Sequence, residues 1–174
     1  KLLIKPNDGS NQLKDNQILH EHTPNLTWKE SKWLRALTKM SIVCKGILTA
    51  DDAKLALEYG ANGIVVSNHD GRQVDTGLPA IECLKDIVDF VNGRCEIFID
   101  SGIRTGTDIL KCLALGAKGV LIGRPILYGL ACGGNKGVEA VLNLLQRDLM
   151  FDMASCSLTK IEQINERILY KYQQ

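Results

Sequence analysis

The sequence predicts an α/β fold of four parallel strand–helix units, and two observations predict it. Four short runs rich in Val and Ile (SIVCKGI, NGIVVSN, CEIFIDSG and KGVLIGR) are apolar on both alternations, as strands buried on two faces are. Helical segments separate them, and the strands begin near Ile42, Ile64, Ile97 and Val120, at intervals of 22, 33 and 23 residues. Each interval holds one strand, two loops and one helix, the spacing of a parallel βα repeat. Four such strands build either a small open sheet or half of a (β/α)8 barrel.

Residues 1–26 are polar and irregular (NDGSNQLKDNQ, then HEHTPN) and are expected to form a linker or loop rather than core. Structure is expected from Thr27, an N-cap for WKESKWLRALTK, whose Trp28, Trp33, Leu34 and Leu37 form a helical apolar stripe. After the first strand, Thr49 caps TADDAKLALEYG, which has two acids in its first turn and closes at Gly60. LPAIECLKDIVDFVNG starts at Pro79 and ends at Gly93; TGTDILKCLALG is capped by Thr105 or Thr107 and ends at Gly116. PILYGLACGG, KGVEAVLNLLQRDLMFDMAS and TKIEQINERIL, all helical by period, close the chain.

Composition narrows the function classes. The 174 residues are 45% hydrophobic, with 21 Lys+Arg against 20 Asp+Glu, enough apolar side chain for a buried core. A net charge of +1 without a basic run argues against a nucleic-acid or membrane-surface binder. No apolar run reaches the roughly 18 residues of a membrane span, and the N-terminal stretch is not a signal peptide. The first residue is Lys1 rather than Met, so a start inside a longer gene product is open. None of the six cysteines forms a CxxC pair, so no metal site is expected; buried free thiols in a reducing compartment are. No GxGxxG and no GxxxxGK[ST] follows any strand, which removes the main support for dinucleotide or nucleoside-triphosphate binding.

Chemistry is expected where parallel strands end. The first strand ends at Lys45, an ammonium in an apolar run that must meet an anion or an electron-rich ring edge, or else snorkel from an exposed terminus. The second delivers Ser67, His69, Asp70 and Arg72, at the head of the longest loop, HDGRQVDTGLP. His69 suits a general base and Arg72 a carboxylate clamp; a structural His capping the strand is the alternative. The third and fourth give Asp100-Ser101-Gly102-Ile103-Arg104 and Gly123-Arg124. Paired glycines with two guanidinium forks suit a phosphate dianion, unless Arg104 and Arg124 pair with acids such as Asp108 at the helix starts.

These residues also carry a resemblance. SNHDGRQVDTGLPAIECL resembles the SNHGGRQLD signature of the FMN-dependent 2-hydroxy-acid oxidase family, which includes glycolate oxidase and the animal hydroxyacid oxidases. FIDSGIRTGTDILKCLALGAKGVLIGRPILYGLACGG is similar to that family's DGGVRxGxDVxKALALGA…GRP segment, and KGILTADDAKLALEYGANGIVVSN and LTWKESKWLRALTK fit it too. The likeness implies the C-terminal half of a (β/α)8 TIM barrel over residues 27–174, with residues 1–26 as a lid-side loop or linker. The implied cofactor is FMN, with Lys45 at the N1/O2 edge of the flavin and Ser67 against it. Asp100, Ser101, Gly102, Ile103, Arg104, Gly123 and Arg124 would hold the ribityl chain and phosphate. His69 would be the catalytic base and Arg72 the substrate clamp, with His69 also touching substrate.

The implied reaction oxidises an (S)-2-hydroxy acid to a 2-oxo acid, with oxygen as electron acceptor and hydrogen peroxide as product. The activity would be incomplete in half a barrel, and a degenerate FMN- or phosphate-binding module is the alternative. A homo-oligomer is expected of the complete protein. A peroxisomal location is expected, with cytosol as alternative, although the chain ends in YKYQQ and not in an SKL-type address. Three positions depart from the family pattern. Asp70 replaces a glycine and is expected to raise the His69 pKa or compete for Arg72; Ser101 replaces another and is expected to crowd the cofactor or donate to it. MASCS shortens a C-terminal segment and is expected to disturb helix packing there.

Overall fold

A computed structural model describes residues 26–170. Helix α1 (Trp28–Leu37) precedes strand β1 (Val43–Ile47), α2 (Ala50–Glu58), β2 (Gly63–Val66), α3 (Ala80–Val91), β3 (Glu96–Ile99), α4 (Gly106–Ala114), β4 (Gly119–Val120) and α5 (Arg124–Ser155). The four strands form one sheet in the order β1-β2-β3-β4, every pair parallel. The expectation of a loop or linker at residues 1–26 lies outside the described residues except for Leu26, which is exposed.

Local signals place the helix starts. Thr27 and Glu30 form a capping box on α1, Thr49 caps α2, and Thr105 with Asp108 forms the box on α4, deciding between Thr105 and Thr107. Asn92 closes α3 with a left-handed backbone, so that helix stops one residue before Gly93.

The core lies between the sheet and its helices. Ile64, Val66, Ile97 and Ile99 alternate onto one face and pack with Ala53, Ala56, Leu84, Ile87 and Cys112 from α2, α3 and α4. β2 is buried at every position, as a central parallel strand should be, whereas Val43 and Lys45 of β1 are exposed at the sheet edge. The other sheet face carries Val65 and Phe98 level with Lys45.

Glycine sets two close approaches. α5 bends sharply at Gly133-Gly134, where both residues leave helical angles. The two limbs then touch at Gly129 and Gly137, where a Cβ on Gly137 would fall 1.8 Å from the Gly129 carbonyl oxygen. Gly106 opens α4 directly against α5, and a Cβ there would lie 2.1 Å from the Leu149 nitrogen.

Four expectations need correction. TKIEQINERIL is not a helix but two single 3₁₀ turns, Ile161–Gln163 and Glu166–Ile168. Ile164 and Asn165 between them are extended, and the Asn165 side chain caps the second turn, so the apolar period reflects docking of Ile164, Ile168 and Leu169 beside Leu110 and Met153. The stripe on α1 is not buried: Trp33, Leu34 and Leu37 are exposed, and only Trp28 packs inward, its ring centroid 5.9 Å from that of Tyr59. The cysteines are all free but divide: Cys83 and Cys112 are buried, Cys44 and Cys95 half-buried, Cys132 and Cys156 exposed. Burial pushes the Cys112 thiol up to about 12, which keeps it protonated and inert. The shortened MASCS segment leaves helix packing intact, since Met153 is buried and the Leu158 N–H closes the helix end onto its carbonyl at 2.8 Å.

Gly106→Ala tests the α4–α5 contact. Alanine improves helix propensity by about 1 kcal/mol at most, whereas collision with backbone at 2.1 and 2.3 Å cannot be relieved by a rotamer change. Net destabilisation of about 1–3 kcal/mol is expected in urea unfolding followed by circular dichroism. An unchanged midpoint would mean that α5 retreats freely.

Candidate active site

Parallel register places the chemistry. Lys45, Val65 and Phe98 pair across the first three strands, with Gly119 next to Phe98, so the strands reach one rim together. The ladder runs one residue past the strand ends, with Asp100 N–H donating to Val66 at 3.1 Å and Leu121 N–H to Ile99 at 2.9 Å.

Asp100 is the hub of that rim. Its carboxylate pairs with Lys45 Nζ at 2.6 Å and accepts the Ser101 hydroxyl at 2.9 Å. Lys45 also donates to Ser67 Oγ at 2.8 Å, and that oxygen accepts the His69 N–H at 3.1 Å. Ser67, only 2% exposed, is the single polar residue buried among the described residues. Burial pushes the Asp100 carboxyl upward, but bonds to Lys45, Ser67 and Ser101 outweigh this and hold it below its ordinary value of 3.8. Lys45 thus meets an anion, as its place in an apolar strand requires.

The β2 loop begins as a 3₁₀ turn, His69–Gly71, with left-handed φ at all three residues. Asp70 N–H donates to Ser101 Oγ at 3.0 Å, and Asp70 Oδ1 accepts the Gly102 N–H at 3.0 Å and the Arg124 guanidinium at 2.8 Å. The expected competition for Arg72 is therefore corrected: the carboxylate reaches Arg124 across β3. Burial raises the Asp70 pKa, yet the Gly102 N–H, Arg124 and Arg104 together carry it below 3.8.

His69 is exposed, with the Gln73 amide nitrogen 3.1 Å from its Nδ1. Gln73 is a partner that the sequence reading missed, although four residues along a short polar turn is within reach of the ring. Arg72 is exposed and makes no ion pair among the described residues. His69, Arg72, Asp100, Ser101, Gly123 and Arg124 line one cavity of about 350 Å³. Ser101, Gly102 and Ile103 line a neighbouring cavity of about 300 Å³, while Lys45 and Ser67 stand at the rim beside Asp100. Arg104 lines neither cavity: its guanidinium donates to the Ile103 carbonyl at 2.8 Å. Asp108 takes the backbone N–H groups of Arg104 and Thr105, not a guanidinium. Among the described residues no cluster of three metal-ligating side chains occurs, and no helix is long and apolar enough to cross a membrane.

Known proteins are similar in both sequence and fold. The model of the FMN-dependent dehydrogenase family matches residues 3–171. The chain belongs to the FMN-dependent dehydrogenase family. A 2-hydroxyacid oxidase of Dictyostelium discoideum is 49% identical over 98% of this chain and 43% of its own length. A Nostoc L-lactate oxidase is 50% identical over 84% of the chain, and human 2-hydroxyacid oxidase 1 is 49% identical over 85%. Mandelate oxidase in complex with 3,3-difluoro-2-hydroxy-3-phenylpropionic acid superposes with a TM-score of 0.78 at 44% identity, covering 81% of this chain and 43% of that one. A mandelate oxidase variant carrying a monooxide FMN adduct superposes with a TM-score of 0.76. The chain spans less than half the length of these relatives. Within the FMN-dependent dehydrogenase family its fold is the C-terminal half of a (β/α)8 barrel, four parallel βα units with closing helices.

Acid sensitivity of the rim follows from two depressed carboxyls. Asp70 and Asp100 titrate lower folded than unfolded, so their stabilisation is complete above 3.8 and is lost as pH falls through the folded values. Urea midpoints should hold from neutral pH and fall on acidification below about pH 4. Asp100→Asn should lower the neutral midpoint and flatten that acid limb; an equally steep limb would place the sensitivity elsewhere.

Proposed function

We propose that the protein oxidises small (S)-2-hydroxy acids to 2-oxo acids, with oxygen as electron acceptor and hydrogen peroxide as co-product. This chain supplies the base, the carboxylate clamp and the cofactor's phosphate corner. The observation that carries the reading is one cavity lined by His69, Arg72 and Arg124 in a chain of this family.

The residues fit FMN. Arg124 Nε is buried without a partner among the described residues, and a Cβ added at Gly102 or Gly123 would meet nothing within 4 Å, so a donor is unused and the backbone beside it borders open space. Arg104, Arg124 and the backbone at Gly102, Ile103 and Gly123 would hold the ribityl phosphate. Lys45, with Ser67, Asp100 and Ser101 around it, would face the polar edge of the ring. When bound, FMN supplies the two-electron acceptor.

Arg72, free of ion pairs among the described residues, offers a substrate carboxylate two parallel N–H bonds and so sets the orientation of the carbon to be oxidised. His69 accepts the proton from the 2-hydroxy group. The Gln73 amide lies 3.1 Å from Nδ1, and with its oxygen accepting the Nδ1 proton it leaves Nε2 free as the base. A peroxisomal location suits a peroxide producer, with cytosol as the alternative.

The test uses the protein at its full natural length. It should purify yellow, and glycolate, lactate or a longer 2-hydroxy acid should bleach it without oxygen and release peroxide with oxygen. His69→Gln should lower kcat by about 10²–10⁴-fold with flavin content unchanged. Arg72→Met should weaken substrate binding by about 10- to 100-fold, the worth of hydrogen bonds to a charged group. Full-length protein that retains no flavin would sink the proposal.

A further inference from the structure

The phosphate corner already contains an anion. Asp70 Oδ1 engages the Gly102 N–H at 3.0 Å and the Arg124 guanidinium at 2.8 Å, one backbone donor and one cation. Those are the two kinds of group that grip a phosphate ester. The Asp70 backbone N–H is separately pinned to Ser101 Oγ at 3.0 Å. The side chain can therefore swing away while the loop stays anchored to β3. Asp70 and Ser101 line both cavities, so their bridge is the wall between them. Arg124 Nε, buried and unpartnered among the described residues, shows that Asp70 does not use the full donor capacity of this guanidinium.

We infer that Asp70 is an internal anion that occupies the phosphate corner and sets its affinity, because an incoming phosphate competes with it for the Gly102 N–H and Arg124. Two anions on one guanidinium repel, so phosphate is held more weakly while the Asp70 carboxylate stays charged and in place. Residue 70 thus tunes how tightly a phosphorylated ligand is held. The identity of that ligand as FMN rests on the function proposed above; the competition itself does not.

Titration calorimetry on the full-length apoprotein, with inorganic phosphate, FMN and riboflavin as probes, separates the two. Asp70→Asn keeps the shape and a left-handed backbone that Asn tolerates; Asp70→Gly removes the side chain and relieves φ of +58°. Both should bind phosphate and FMN at least about tenfold more tightly than wild type and leave riboflavin affinity unchanged. If Asp70→Gly does not fold, Asp70→Asn carries the measurement. Unchanged or weaker phosphate and FMN binding by Asp70→Asn overturns the internal anion, as does an equal gain for riboflavin. A gain for phosphate without any flavin binding supports the internal anion and sinks the FMN reading. Equal FMN binding by wild type and variant does the reverse.

Discussion

The pairing of Asp100 with Lys45 is the contact on which the rim depends. An ammonium rising from an apolar strand and a carboxylate only 18% exposed would each be costly alone. Set 2.6 Å apart, and bonded to Ser67 and Ser101, each removes the other's penalty. Lys45 is half exposed, so the pair contributes modestly to stability, and its larger effect is positional. It ties the ends of β1, β2 and β3 together, and the chain Ser101–Asp70–Arg124 extends the tie to the start of α5. The arrangement needs parallel register: a one-residue slip of β1 would turn Lys45 onto the helix-covered face.

The same register explains what stays uncovered. Helices α2 to α4 cover one face of the sheet; Val43 lies exposed at the β1 edge, and Leu121 just beyond β4 is exposed too. A closed barrel gives every strand two neighbours, whereas β1 and β4 each have one in this sheet. The exposed Trp33, Leu34 and Leu37 of α1 add to the apolar surface on the β1 side. The relatives are more than twice as long as the portion that this chain matches.

Much of this was legible in the sequence because its causes are local. Strand starts agree with the structure to within one residue, since Val/Ile runs and capping threonines act within a few positions. The C-terminal stretch misled because Ile161, Ile164 and Ile168 have helical spacing, yet Asn165 offers its own cap and breaks the chain into 3₁₀ turns. The α1 stripe misled for a different reason: periodicity reports a face that wants covering, not the element that covers it. At the site, residue types and strand ends could be read, but partners could not. Asp70 was assigned to its sequence neighbours His69 and Arg72, while the bonds that form cross to Gly102 and Arg124, 32 and 54 residues away. Sequence proximity measures distance along the chain, and the loops after adjacent parallel strands are close only in space.

Asp70 and Ser101 are also linked by their backbones. Both occupy left-handed φ, at 58° and 74°, where a side chain costs about 1 kcal/mol or more. Each supplies what holds the other segment: Ser101 Oγ fixes the Asp70 N–H, and Asp70 Oδ1 fixes the N–H of Gly102 beside Ser101. Glycine at either position would ease the backbone but remove one of these bonds. The Asp70 carboxylate finds its partners in Gly102 and Arg124, and the Ser101 hydroxyl adds the backbone tie, so the two side chains together close a circuit between the loops. The positions that look most damaging when read singly in the sequence are therefore the ones that lock the β2 loop to the β3 loop.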